Sequence, residues 1–115
     1  MKKAQFLKKY LADLGITDIQ EHNSEDPEVP EGVRPNLIAT IPGKDHSKAV
    51  WLMAHIDVVP PGDLDKWDSD PWTVRVEGDK IYGRGVEDNQ QGMCAAIMAS
   101  KAFLEEGITS PVDIK

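Results

Sequence analysis

A chain of 115 residues can bury one modest core and forms at most one domain. Its 13 Lys and Arg stand against 20 Asp and Glu, and the formal net charge of −7 argues against nucleic acid or an anionic membrane as the partner, since both require basic patches. One cysteine, Cys94, excludes an intramolecular disulfide, and the basic start Met1-Lys2-Lys3 leads into a segment broken by Lys8, Lys9 and Asp13, which reads as neither a signal peptide nor a membrane span. The setting expected from this usage is cytoplasmic and reducing.

The first element in chain order is a helix, because Phe6, Leu7, Tyr10, Leu11 and Leu14 recur at helical spacing and Gly15 is placed to cap the end. Gln20 to Pro35 is polar and holds Pro27, Pro30 and Pro35, so an irregular connection is expected there. Leu37 to Ile41 and Ala49 to Ala54 read as strands joined by Pro42-Gly43 and a charged turn, in the pattern of a hairpin. Pro60 to Pro71 is a turn-rich loop, with Trp67 and Trp72, like Trp51, read as packing aromatics. Thr73 to Glu77 and Lys80 to Tyr82 flank Gly78-Asp79, a short hairpin signal. Asn89 to Glu106 reads as a largely buried helix, apolar through Met93, Ile97, Met98, Phe103 and Leu104, with Cys94 a buried, inert thiol among them. Gly107 ends it, and Val112 to Lys115 alternates like a strand. A strand that starts so close to the last residue is expected of the N-terminal piece of a longer protein. The fold class is α/β, with a run of strands between two helices in one incomplete domain.

The run Trp51-Leu52-Met53-Ala54-His55-Ile56-Asp57-Val58-Val59-Pro60 carries the chemistry. It reads as a buried strand that brings an imidazole and a carboxylate to its C-terminal end, where open α/β sheets place ligands. Residues two apart on a strand share a face, so His55 and Asp57 can point into one site. Asp57 is placed either to fix the tautomer of His55 or to meet solvent or substrate itself. A second loop, Tyr82 to Gly92, presents Asp88 among Gly83, Gly85 and Gly92, whose freedom permits a tight approach. One imidazole and two carboxylates are the beginning of a metal site. His22 and His46 sit in polar surroundings and read as surface residues, and Glu105-Glu106 reads as a solvated helix end. Arg84 is suited either to neutralising carboxylates near Asp88 or to a structural salt bridge.

The apolar run ending in His55-Ile56-Asp57, the Val58-Val59-Pro60 that follows, and above all Gly83-Arg84-Gly85-Val86-Glu87-Asp88 together resemble the co-catalytic zinc aminoacylase and peptidase family. That family includes acetylornithine deacetylase, succinyl-diaminopimelate desuccinylase, aminoacylase and carboxypeptidase G enzymes. The resemblance runs from Pro35-Asn36-Leu37 through the helix after Asp88, and it implies the N-terminal portion of a catalytic domain over residues 1–115, built on a mixed sheet flanked by helices. It implies His55 as a ligand of one metal, Asp88 as a carboxylate bridging two, and Asp57 as the catalytic carboxylate that clamps His55. The implied cofactor is zinc, two ions per site, with cobalt or manganese as substitutes. A cis peptide after Asp88 is implied as well. The family's Glu-Glu pair, its remaining acidic ligand and its last histidine would fall after Lys115. Gln90 departs from the lysine, and Gln91 from the glycine, that many members carry, which bears on substrate preference. The implied reaction is metal-assisted hydrolysis of the amide bond of an N-acyl amino acid or dipeptide, with a homodimer compatible with it and no nucleic acid and no membrane involved. Two other readings compete: a non-catalytic relative that binds a partner through the same fold, and a mononuclear iron oxygenase using His55 and Asp57 in a facial triad. The oxygenase reading needs strands, not a helix, over Asn89 to Glu106.

Overall fold

A computed structural model describes residues 2–115. The chain divides into two compact units, one of residues 1–52 and 96–115 and the other of residues 53–95. Helix α1 (Lys2–Asp13) opens the first unit. Its buried side chains are Ala4 and Leu7, whereas Phe6 and Tyr10 stack on each other at the surface, ring centroids 6.1 Å apart. The helix ends as its glycine foretells: Gly15 takes φ +92°, its N–H donates to Ala12 O, and the N–H of Ile16 reaches back to Leu11 O.

Strands β1 (Asp18–Glu25) and β2 (Val33–Thr40) pair antiparallel in unbroken register from Asp18↔Thr40 to Glu25↔Val33. This corrects the irregular connection expected over Gln20 to Pro35. Only the loop from Asp26 to Gly32 is irregular, and it is closed by Asp26 N–H to Gly32 O and by an ion pair between Asp26 and Arg34. β1 escaped the hydropathy pattern because nearly all of it is exposed. Backbone hydrogen bonds to β2 hold it there, with no apolar face to alternate.

β3 (Asp45–Val50) pairs in parallel with β6 (Val112–Ile114), so the expected hairpin of β2 with β3 does not form. Pro42-Gly43 serves a different purpose. A Cβ on Gly43 would lie 2.2 Å from both the carbonyl carbon and the oxygen of Val112, so a glycine lets the chain pass against β6. Ile41 and Ile114 exchange backbone hydrogen bonds of 2.8 and 3.0 Å and, with Ile16, form the centre of the core. Leu11, Ile19, Ala39, Phe103 and Leu104 pack around them. Asp113 is the buried carboxylate of this unit: it accepts from Gly43 N–H at 2.7 Å and from His46 Nδ1 at 2.8 Å. His46 is thus a surface residue as expected, but on a strand rather than in a loop.

The parallel ladder runs out at the Leu52 N–H, which donates to Lys115 O at 2.7 Å. Past it the run to Pro60 is neither strand nor buried: Trp51 is 52% exposed and Met53 83%. Its apolar character had marked it as an interior strand, yet no backbone ladder continues along it among the described residues.

In the second unit β4 (Arg75–Glu77) and β5 (Lys80–Tyr82) form the expected hairpin around Gly78-Asp79, with Gly78 at φ +59°. The loop before it contains a single 3-10 turn, Leu64–Lys66, whose cap Asp63 accepts from Asp65 N–H. Trp67 is half-buried, while Trp72 is 60% exposed, against the packing role expected of it. α2 (Gly92–Glu105) starts later than expected and has no fully buried residue; Cys94 within it is exposed, not a core thiol. A helix over this stretch removes the iron-oxygenase alternative. Among the described residues no helix is long and apolar enough to cross a membrane.

Candidate metal centre

His55, Asp57 and Asp88 all belong to the second unit, and the structure brings them together. His55 Nδ1 lies 3.0 Å from the main-chain oxygen of Asp57 and 3.2 Å from its Oδ1. Both neighbours are acceptors, so Nδ1 donates to Asp57. Nε2 in turn lies 3.0 Å from Asp88 Oδ1. The Asp88 carboxylate, followed by the Asp57 carbonyl, raises the His55 pKa above its ordinary value by favouring the imidazolium. All three side chains are open to solvent.

The loop that delivers Asp88 turns sharply. Gly85 is buried at φ +81°, and a Cβ there would meet Val58 Cγ1 at 2.3 Å. The segment just after Asp57 and the segment just before Asp88 therefore touch at a point where only a hydrogen fits. Asp88 and Asn89 have non-helical backbone, and the peptide between them is cis. Gln90 N–H donates to Gly85 O, closing the turn before α2.

Arg84 adopts neither of its expected roles. Its guanidinium meets no carboxylate among the described residues. Instead one Nη donates to Pro61 O at 3.2 Å, and the group lies 5.2 Å from the Trp67 ring centroid. Trp67 Nε1 donates to the same carbonyl at 3.0 Å, and Arg84 N–H donates to Pro71 O at 2.8 Å. Sequence reasoning missed this cluster because its acceptors are main-chain carbonyls, which leave no trace in side-chain type.

The donor chemistry fits a divalent ion. Two ligands at about 2.0–2.2 Å on a tetrahedral ion stand roughly 3.3–3.6 Å apart, so the 3.0 Å between His55 Nε2 and Asp88 Oδ1 would open by a few tenths of an ångström to admit one. Among the described residues, however, no three His, Cys, Asp or Glu side chains gather closely enough to hold an ion by themselves.

Comparison with known proteins identifies the family. The profile of Peptidase family M20/M25/M40 matches residues 51–115, and the chain belongs to that family. An uncharacterized metallohydrolase of Methanococcus maripaludis is 38% identical over 92 residues, covering 79% of this chain and 21% of that protein. Succinyl-diaminopimelate desuccinylase of Gluconobacter oxydans is 42% identical over 73 residues, 64% of this chain and 18% of the enzyme. The crystal structure of human carnosine dipeptidase 1 superposes with a TM-score of 0.72 at 27% identity, over 98% of this chain and 24% of that one. The chain thus spans about a fifth to a quarter of the length of these relatives.

Proposed function

We propose that this chain contributes one part of a two-metal hydrolytic centre acting on the amide bond of small N-acyl amino acids or dipeptides. The observation that carries the reading is the convergence of His55 Nε2 on Asp88 Oδ1 while Asp57 holds Nδ1. His55 would be a ligand to one ion, zinc by family, and Asp88, whose Oδ1 already faces His55, would bridge two. When bound, such ions lower the pKa of a shared water toward about 7 and polarise the scissile carbonyl. His55 must present a bare Nε2, and the Asp57 contacts keep the remaining proton on Nδ1. Asp57 fixes the ring and stands beside the reacting groups as a carboxylate. The base that takes the proton from water, and the other ligands, would come from residues outside this sequence, so residues 1–115 are read as the first portion of the catalytic domain. The names of the relatives support a small amide substrate: a desuccinylase among the curated proteins and a dipeptidase among the solved structures. Between those classes the deacylase is preferred slightly. The same reading takes the protein as cytoplasmic and is compatible with a homodimer.

The test uses the full-length protein. His55→Ala is expected to lose one bound ion by mass spectrometry, and Asp88→Ala to disturb both. Two tightly held ions in Asp88→Ala protein refute the bridge. With zinc or cobalt, N-acetyl and N-succinyl amino acids and dipeptides should be cleaved; robust cleavage of casein and of none of these overturns the substrate class.

A further inference from the structure

Arg84 is a buried-edge cation without a carboxylate partner, and its Nε is enclosed with no acceptor among the described residues. A guanidinium is seldom left this way unless its plane and its other donors serve a purpose. Here they tie two loops together. The Pro61 carbonyl accepts from Arg84 Nη2 and from Trp67 Nε1 at once, the guanidinium rests against the Trp67 ring, and the Arg84 N–H is fixed on Pro71 O. Pro61 follows His55 through Asp57, Val58, Val59 and Pro60, and the two adjoining prolines restrict that path. Asp88 follows Arg84 through Gly85, which is pressed on Val58. Any change in the Pro61–Arg84 spacing is therefore passed to His55 on one side and to Asp88 on the other.

We propose that Arg84 is a positioning residue for the metal centre: clamped between the Pro61 carbonyl and the Trp67 indole, it sets the distance between the loops that carry His55 and Asp88. It acts by planarity and hydrogen bonding rather than by charge, and the proposal rests on the reading of His55 and Asp88 as ligands.

The experiment compares Arg84→Lys, Trp67→Phe and His55→Ala in the full-length protein. Zinc affinity is measured by competition with a chelating dye, the visible absorption of the cobalt-loaded protein reports ligand geometry, and thermal melting reports folding. Lysine keeps the charge but has neither the plane nor the fork. Arg84→Lys should weaken zinc about tenfold or more, the scale at which groups supporting metal ligands act, and should alter the cobalt spectrum. Trp67→Phe, which keeps a ring and loses the N–H, should shift both in the same sense by less. Native affinity and a native cobalt spectrum in Arg84→Lys overturn the proposal, because charge alone would then suffice. Should Arg84→Lys melt below the assay temperature, Trp67→Phe decides, and native values in that folded variant likewise overturn it. His55→Ala separates the two claims. Zinc lost there but native in Arg84→Lys rejects the clamp alone, whereas native zinc affinity in His55→Ala rejects the ligand reading beneath it.

Discussion

Asp57 touches His55 twice, through its main-chain oxygen and through its carboxylate. Only the second contact depends on the side chain. Asp57→Asn should therefore leave the ring oriented by the carbonyl and metal content nearly intact, while turnover falls about ten- to a hundredfold through lost charge beside the reacting groups. Metal counting and steady-state kinetics on one preparation check this, and loss of an ion from Asp57→Asn would make Asp57 a ligand. Gly85 gives a second expectation at this scale. Gly85→Ala must both hold an L-residue at φ +81° and push a methyl into Val58, so the two loops should separate and zinc affinity drop. Val58→Ala in the same chain should restore part of it. His55, Asp57 and Asp88 were legible in the sequence because each is a chemically distinctive side chain beside glycines or at the end of an apolar run. The Pro61 clamp was not legible, since a carbonyl oxygen is common to every residue.

At the scale of elements, the parallel pair β3–β6 depends on two small features. Gly43→Ala would drive a methyl to 2.2 Å from the Val112 backbone, which has no flexible end to yield. A loss of about 1–3 kcal/mol is expected from such overpacking, read as a lower midpoint in urea. Asp113 is the other. The Gly43 N–H, and after it His46, hold its carboxyl below the usual carboxylate range. A group whose pKa is lowered on folding stabilises the fold above its ordinary pKa, near 3.9, and that contribution fades as the pH falls through the folded value. The melting temperature should accordingly drop between about pH 4 and lower pH, and Asp113→Asn should flatten part of that drop. A slope unchanged by Asp113→Asn would show the other paired carboxylates to be responsible. The hairpin β4–β5, helix α1 and strand β6 were readable from local signals such as Gly78-Asp79, Gly15 and the alternation after Pro111. The partner of β3 was not, because local sequence carries no address for a strand so distant, and β1 was hidden by a surface with no apolar rhythm.

For the whole molecule, the two converging side chains His55 and Asp88 are fewer than the three or more ligands that a tightly held zinc requires. The 115-residue chain by itself should bind zinc weakly and hydrolyse neither N-acyl amino acids nor dipeptides, and turnover near that of the full-length protein would contradict this. The β3–β6 ladder carries a further consequence, in the order of events on the ribosome. Helix α1, the β1–β2 pair and the β4–β5 hairpin each join neighbouring stretches and can close as they emerge. β3 has to wait for β6, which is made about 60 residues later, a delay of roughly 3–12 s at 5–20 residues per second. During that interval Asp45–Val50 is a bare edge followed by an apolar run, open to any extended chain nearby. Slowing synthesis between Val50 and Val112 should therefore lower the soluble yield more than the same pause placed before Asp45.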